Sequence, residues 1–191
     1  ARFDAQGRLE APGGTLTRQS ITSAGLASGA SLAEGGEVSP VTVLRTLGGA
    51  LRFEAAVPGA DSVRITGSQP VRFEAASALI IDAGARLASL SMAGDGPRTA
   101  GPMTLLAGTG ISLGAGAQLD SEGGSLDLQA AAAGIDMGSA SLLRSGGGVI
   151  RIAAQGDIML ASADAREPVP GQAGTFRNRE AGSMLALVST A

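Results

Sequence analysis

Short apolar-polar-apolar triplets recur in fixed phase along the second half of the chain, and this constrains the fold more than any other feature. Met103-Thr104-Leu105, Leu126-Asp127-Leu128 and Ile150-Arg151-Ile152 follow one another at spacings of 23 and 24 residues. Ile111-Ser112-Leu113, Ile135-Asp136-Met137 and Ile158-Met159-Leu160 do the same at 24 and 23. Alternation with period two is the mark of a strand with one buried face. A strand of three to five residues cannot bury that face alone, so successive turns must stack and share one continuous core. An antiparallel sandwich would account for the alternation but not for the phase.

The predicted fold is therefore all-β, a parallel β-helix (β-solenoid) with about 22 residues per turn, eight to nine turns and a length of about 40 Å at the usual strand spacing. The whole chain, 1–191, reads as one solenoid segment. Met103, Leu126 and Ile150 should form one inward column, and Leu105, Leu128 and Ile152 another. Thr104, Asp127 and Arg151 should form an outward ladder in which Asp127 and Arg151 pair. Leu79-Ile80-Ile81 with Asp82 to Leu87 matches Ile111-Ser112-Leu113 with Gly114 to Leu119 at a spacing of 32, which implies a loop insertion at 93–100. A second insertion, 166–180, is marked by Pro168, Pro170 and Gly171, after which Met184 to Val188 resumes a strand. Glycines at Gly123-Gly124 and Gly146-Gly147-Gly148 should supply positive φ at the corners.

A five-residue unit, apolar-Arg-Phe-acidic-Ala, occurs as Ala1 to Ala5, Leu51 to Ala55 and Val71 to Ala75. The last two copies lie 20 residues apart, about one turn, which predicts that Phe53 and Phe73 stack in the core while Arg52, Glu54, Arg72 and Glu74 pair outside. Thr15-Leu16-Thr17, Ser20-Ile21-Thr22 and Val41-Thr42-Val43 read as strands without a clear phase.

The absences in the composition bear on function. The chain has no Cys, Trp, Tyr or His, no Lys among its 14 basic residues, and a single Asn, Asn178. Zinc, haem and iron–sulfur sites lack their usual ligands. A Ser–His–Asp triad, a Cys nucleophile and a Schiff-base Lys are impossible. Aromatic residues at 2% and a net charge of −3 argue against a nucleic-acid surface. No apolar run reaches the 18 or so residues of a membrane-spanning helix. A chain that opens without Met or a signal segment reads as a piece of a longer or processed protein. Carboxylates are the only acid–base groups, and Asp120, Glu122 and Asp127 are the candidates for polysaccharide cleavage; solubilising side chains are the simpler account. Gly94-Asp95-Gly96 lacks the repeat of a calcium-binding β-roll, so no cofactor or metal is expected. The 166–180 loop carries the candidate partner-binding residues Arg166, Phe176, Arg177 and Arg179, since loops on rigid scaffolds often hold function.

Gly124-Ser125-Leu126-Asp127-Leu128-Gln129-Ala130 and the run from Gly148 to Leu160, with its Gly156-Asp157-Ile158-Met159-Leu160 ending, resemble the filamentous-haemagglutinin type of repeat of large bacterial exoproteins and adhesins. Looser similarity covers 71–191. The resemblance implies a right-handed β-helix, export to the cell surface, and adhesion or scaffolding without catalysis. The Asn-rich motifs of the secretion domains in that family do not occur here, so the repetitive shaft is the part that matches. The expected function is thus a non-enzymatic structural or adhesive segment of a secreted or surface-attached bacterial protein, extracellular or on the cell surface, with a host or neighbouring-cell surface as partner. The alternative is a subunit that stacks end to end into a filament or matrix, because Ala1 to Ala5 and Leu185 to Val188 read as uncapped strand edges. A polysaccharide-active β-helix enzyme is the third reading.

Overall fold

Strands of two to six residues follow one another along the chain, and most of them pair with a strand one turn away rather than with a sequence neighbour. The computed structural model describes residues 2–3, 9–10, 16–19, 26–27, 42–46, 48–55, 61–66, 70–90, 100–168, 176–177 and 184–189. Among these there is no helix, and the strands build three parallel sheets. Leu51–Phe53, Leu79–Ile81, Ile111–Leu113, Ile135–Met137 and Ile158–Met159 stack as the first sheet. Val63–Thr66, Arg86–Leu90, Gln118–Ser121, Leu142–Arg144 and Ala163–Asp164 form the second. Thr42–Thr46, Val71–Ala75, Met103–Ala107, Leu126–Ala130, Val149–Ala154 and Met184–Ser189 form the third. From Leu51 onward the chain visits first, second and third sheet in rotation, the strand arrangement of a β-solenoid.

The register matches the phase read from the triplets. Met103 lies beside Leu126 and Leu126 beside Ile150, with Leu105, Leu128 and Ile152 two residues on. Ile111, Ile135 and Ile158 align in the first sheet. All of these except the half-buried Ile158 are buried, and they belong to one continuous core. At about 1.5–3 kcal/mol per fully buried large aliphatic side chain, these columns supply most of the driving force for stacking.

The unit Arg-Phe-acidic-Ala behaves differently from its expected reading. Leu51–Phe53 belongs to the first sheet and Val71–Ala75 to the third, so a spacing of 20 residues is two-thirds of a turn and not a whole one. The register partner of Leu51 is Leu79, 28 residues on. It is the first copy that stacks on the second, Arg2 beside Arg52 and Phe3 beside Phe53. Phe53 and Phe73 do meet in the core, edge to face across two sheets, with ring centroids 5.1 Å apart at 80°.

At the N-terminal side the outermost strand of every sheet runs against its neighbour. Leu9–Glu10 pairs antiparallel with Arg2–Phe3, Leu26–Ala27 with Val63–Thr66, and Leu16–Gln19 with Thr42–Thr46. The edge of Arg2–Phe3, expected to be open, is therefore covered. Ser20-Ile21-Thr22 lies outside the described residues, as does most of the 93–100 insertion, which connects the second sheet to the third. In the stretch read as a second insertion, Glu167–Pro168 pairs antiparallel with Phe176–Arg177.

Corners close by two devices. Gly123, Gly146 and Gly147 have positive φ, as expected, but Gly124 and Gly148 serve closeness: a Cβ on Gly148 would meet the Gly124 carbonyl oxygen of the turn beneath, and one on Gly124 the carbonyl oxygens of Ala100 and Gly101. The bends after the first sheet place Gly84, Gly116 and Ala140 at equivalent left-handed positions, with φ of 73°, 70° and 57°. Only Ala140 carries a Cβ there, a conformation that disfavours L side chains. Ala140→Gly should raise stability by about 0.5–1 kcal/mol, read as an increase in the urea midpoint.

Candidate functional site

The outer face of the second sheet gathers the best-defined charged cluster. Asp120 lies beside Arg144, and Arg144 beside Asp164, in successive turns. Arg86, one turn before Asp120, donates from Nη1 to Asp61 Oδ1 at 2.7 Å and from Nη2 to Asp120 Oδ2 at 2.8 Å. Arg144 Nη1 approaches the same Asp120 oxygen at 3.9 Å. Arg166 closes the series on Asp164, Nε and Nη2 each donating at 2.9 Å and its backbone N–H at 3.0 Å. Charges thus alternate along the rod, and Asp61 and Asp120 are only 9% exposed. Burial opposes the charge of Arg86, yet the hydrogen bond to Asp120 and the field of both carboxylates raise its pKa above the ordinary value. The Arg166 hydrogen bond holds Asp164 below the usual carboxylate value, against partial burial and with help from Arg144.

A second cluster lies on the third sheet. Glu74 pairs with Arg45 in the neighbouring strand and with Arg72 in its own. The Arg45 hydrogen bond is the main reason its pKa falls below 4.5, with burial opposing. The expected pairing within the Arg-Phe-acidic units holds for Arg72 and Glu74 and is extended beyond them: Arg52 donates to Asp82 at 2.9 Å, and Glu74 takes Arg45 as well as Arg72. The ladder of Thr104, Asp127 and Arg151 has the expected register, but Asp127 accepts from Gln129 Nε2 at 3.0 Å instead of pairing with Arg151. The side chain two residues along the same strand reaches Oδ2 directly, and Oδ1 has no hydrogen-bond partner.

The three carboxylates considered for glycan cleavage lie in different settings. Asp120 is committed to Arg86, Asp127 faces out from the third sheet, and Glu122 sits in the bend between. Among the described residues no group of three acidic or metal-ligating side chains is placed to hold a metal ion. Of the residues expected to bind a partner, Arg166 is ion-paired to Asp164, while Phe176 and Arg177 lie on the short strand opposite Pro168 and Glu167. Arg179 is outside the described residues. A shallow groove of about 360 Å³ crosses the third sheet over Leu106, Gln129, Ala153 and Val188, which are register neighbours. Among the described residues, no helix is long and apolar enough to cross a membrane.

Sequence reasoning overlooked the ladder of the second sheet because its strands carry little apolar signal. Gln118-Leu119-Asp120 and Leu142-Leu143-Arg144 each bury one large side chain, so their phase is visible only beside the other two columns. Comparison with protein-family models, with curated proteins and with solved structures found no match.

Two outcomes follow from this electrostatics. Glu74 and Asp164 have depressed pKa values in the fold, so their stabilisation is complete above their unfolded values, near 4.5 and 3.8, and is lost as pH falls below them. Urea midpoints should drop from pH 5 to pH 3, and Glu74→Gln should flatten that drop while lowering the midpoint at pH 7. Arg86→Met would remove the cation that bridges two nearly buried carboxylates, and should cost about 3 kcal/mol by equilibrium unfolding.

Proposed function

We propose that this chain is a non-enzymatic structural segment of a secreted or surface-attached bacterial protein, a right-handed β-helical shaft of eight to nine turns that extends or presents an adhesive region. The observation that carries the reading is the phase-locked stacking of three parallel sheets around one apolar core, with ionised side chains bridging turn to turn. An arrangement in which each turn supports the next favours length and stiffness over a single concave site. The resemblance of Gly124 to Ala130 and Gly148 to Leu160 to haemagglutinin-type repeats supplies the handedness, the export and the adhesive context. Arg166, Phe176, Arg177 and Arg179 remain the proposed contacts to a partner surface.

A second reading, a subunit that stacks end to end, draws on the C-terminal side. Leu187 occupies an inward column position beside Ile152 yet is 50% exposed, and Met159 and Val188 are exposed nearby. The antiparallel outer strands at the other side weigh against simple head-to-tail repetition, since they offer an incoming turn a neighbour of the wrong direction.

Small-angle X-ray scattering should give a rod about 40 Å long. Light scattering across a hundredfold concentration range, detected by refractive index, should give a constant 18.6 kDa. Growth into long rods would favour the subunit reading instead. Incubation with a polysaccharide panel should release no oligosaccharide; release abolished by Glu122→Gln with Asp127→Asn would replace both readings with the enzymatic one.

A further inference from the structure

Neighbouring turns are nearly interchangeable in two of the three sheets. In the third sheet the inward column reads Met103, Leu126, Ile150, and in the first it reads Ile111, Ile135, Ile158. Stacking Ile150 on Met103, or Ile158 on Ile111, would bring aliphatic side chains together just as the native order does. The outward positions of those sheets discriminate little, because Arg151 would meet Thr104 and Met159 would meet Ser112. Apolar burial alone therefore carries weak information about which turn belongs on which.

The second sheet differs. Its outward column alternates in sign, Asp120 beside Arg144 beside Asp164, with Arg86 bonded to Asp120 from the turn before. We propose that this alternation sets the order of the turns, because pairing Gln118–Ser121 with Ala163–Asp164, one turn out of step, would put Asp120 directly beside Asp164. The column is equipped to discriminate. Asp120 is nearly buried, so a second carboxylate at strand spacing cannot be screened as it would be in open solvent. A misplacement by two turns would set Ala88 beside Asp164, which the charges do not penalise, but it would also strand two turns of apolar core. The charges thus act against the nearest error, and burial against the larger one.

The test uses a substitution whose effect should change sign. Excising residues 125–148 removes one turn and joins Gly124 to Val149, replacing the natural bond from Gly148, while all apolar columns stay apolar. In an Arg166→Gln background, which removes the ion pair that Asp164 keeps in either chain, Asp164→Asn should lower the urea midpoint of the full chain, where Asp164 lies beside Arg144, and raise that of the shortened chain, where it faces Asp120. Both shifts should shrink in 1 M salt. Movement of both midpoints in the same direction would overturn the proposal. If the shortened chain does not fold, duplication of 125–148 places two copies of Arg144 side by side. Arg144→Gln in the second copy should then raise the midpoint of the lengthened chain, while the same change lowers that of the natural one. A drop in both, or no difference between them, would likewise overturn it.

Discussion

A strand of three residues with two apolar side chains has nothing to bury them against except another strand like itself. Every other property of this molecule depends on that condition. Leu126 and Leu128 are fully buried only because Met103 and Leu105 lie on one side and Ile150 and Ile152 on the other. The chain is poor in large side chains, with aromatic residues at 2% and 30 glycines, so no single turn could hold a core. Stacking converts many small burials into one column, and backbone hydrogen bonds between turns satisfy the amides that this burial removes from water. The glycine corners belong to the same condition. Where Gly148 crosses Gly124, a methyl group would hold the turns apart and open the ladder on either side.

Charge is distributed according to the same geometry. Outward residues at strand spacing meet their counterparts one turn away, so a carboxylate within a strand has a neighbour fixed by register. On exposed faces such pairs contribute little. On the second sheet the carboxylates of Asp61 and Asp120 are close to buried, and Arg86 compensates both. Removing such a cation costs more than the pair contributes, because the desolvated anions remain. The ion pairs therefore resist change, and they do so along the axis on which the turns stack.

The two sides of the stack are not alike. On the N-terminal side three antiparallel strands, one per sheet, interrupt the parallel pattern. On the C-terminal side Met184–Ser189 continues it, and a residue of the core column, Leu187, is half exposed. The two sides therefore offer an incoming strand different neighbours.

Much of this was legible in the residues. Period-two alternation at constant spacing dictates strands, and constant phase dictates parallel stacking, because side-chain direction in a strand admits no other period. The first and third sheets and their columns follow from that. The partners of polar side chains were decided by tertiary structure alone. Asp127 turned to Gln129 rather than Arg151, Glu74 reached Arg45, and the Arg-Phe-acidic copies at 51 and 71 fell on different sheets, since the path around each corner sets which residues become neighbours. Asp120, Arg144 and Asp164 sit in strands with too little apolar content to announce a phase. The apolar pattern fixes a direction for each side chain, whereas an ion pair needs a position, and position exists only once the turns have closed.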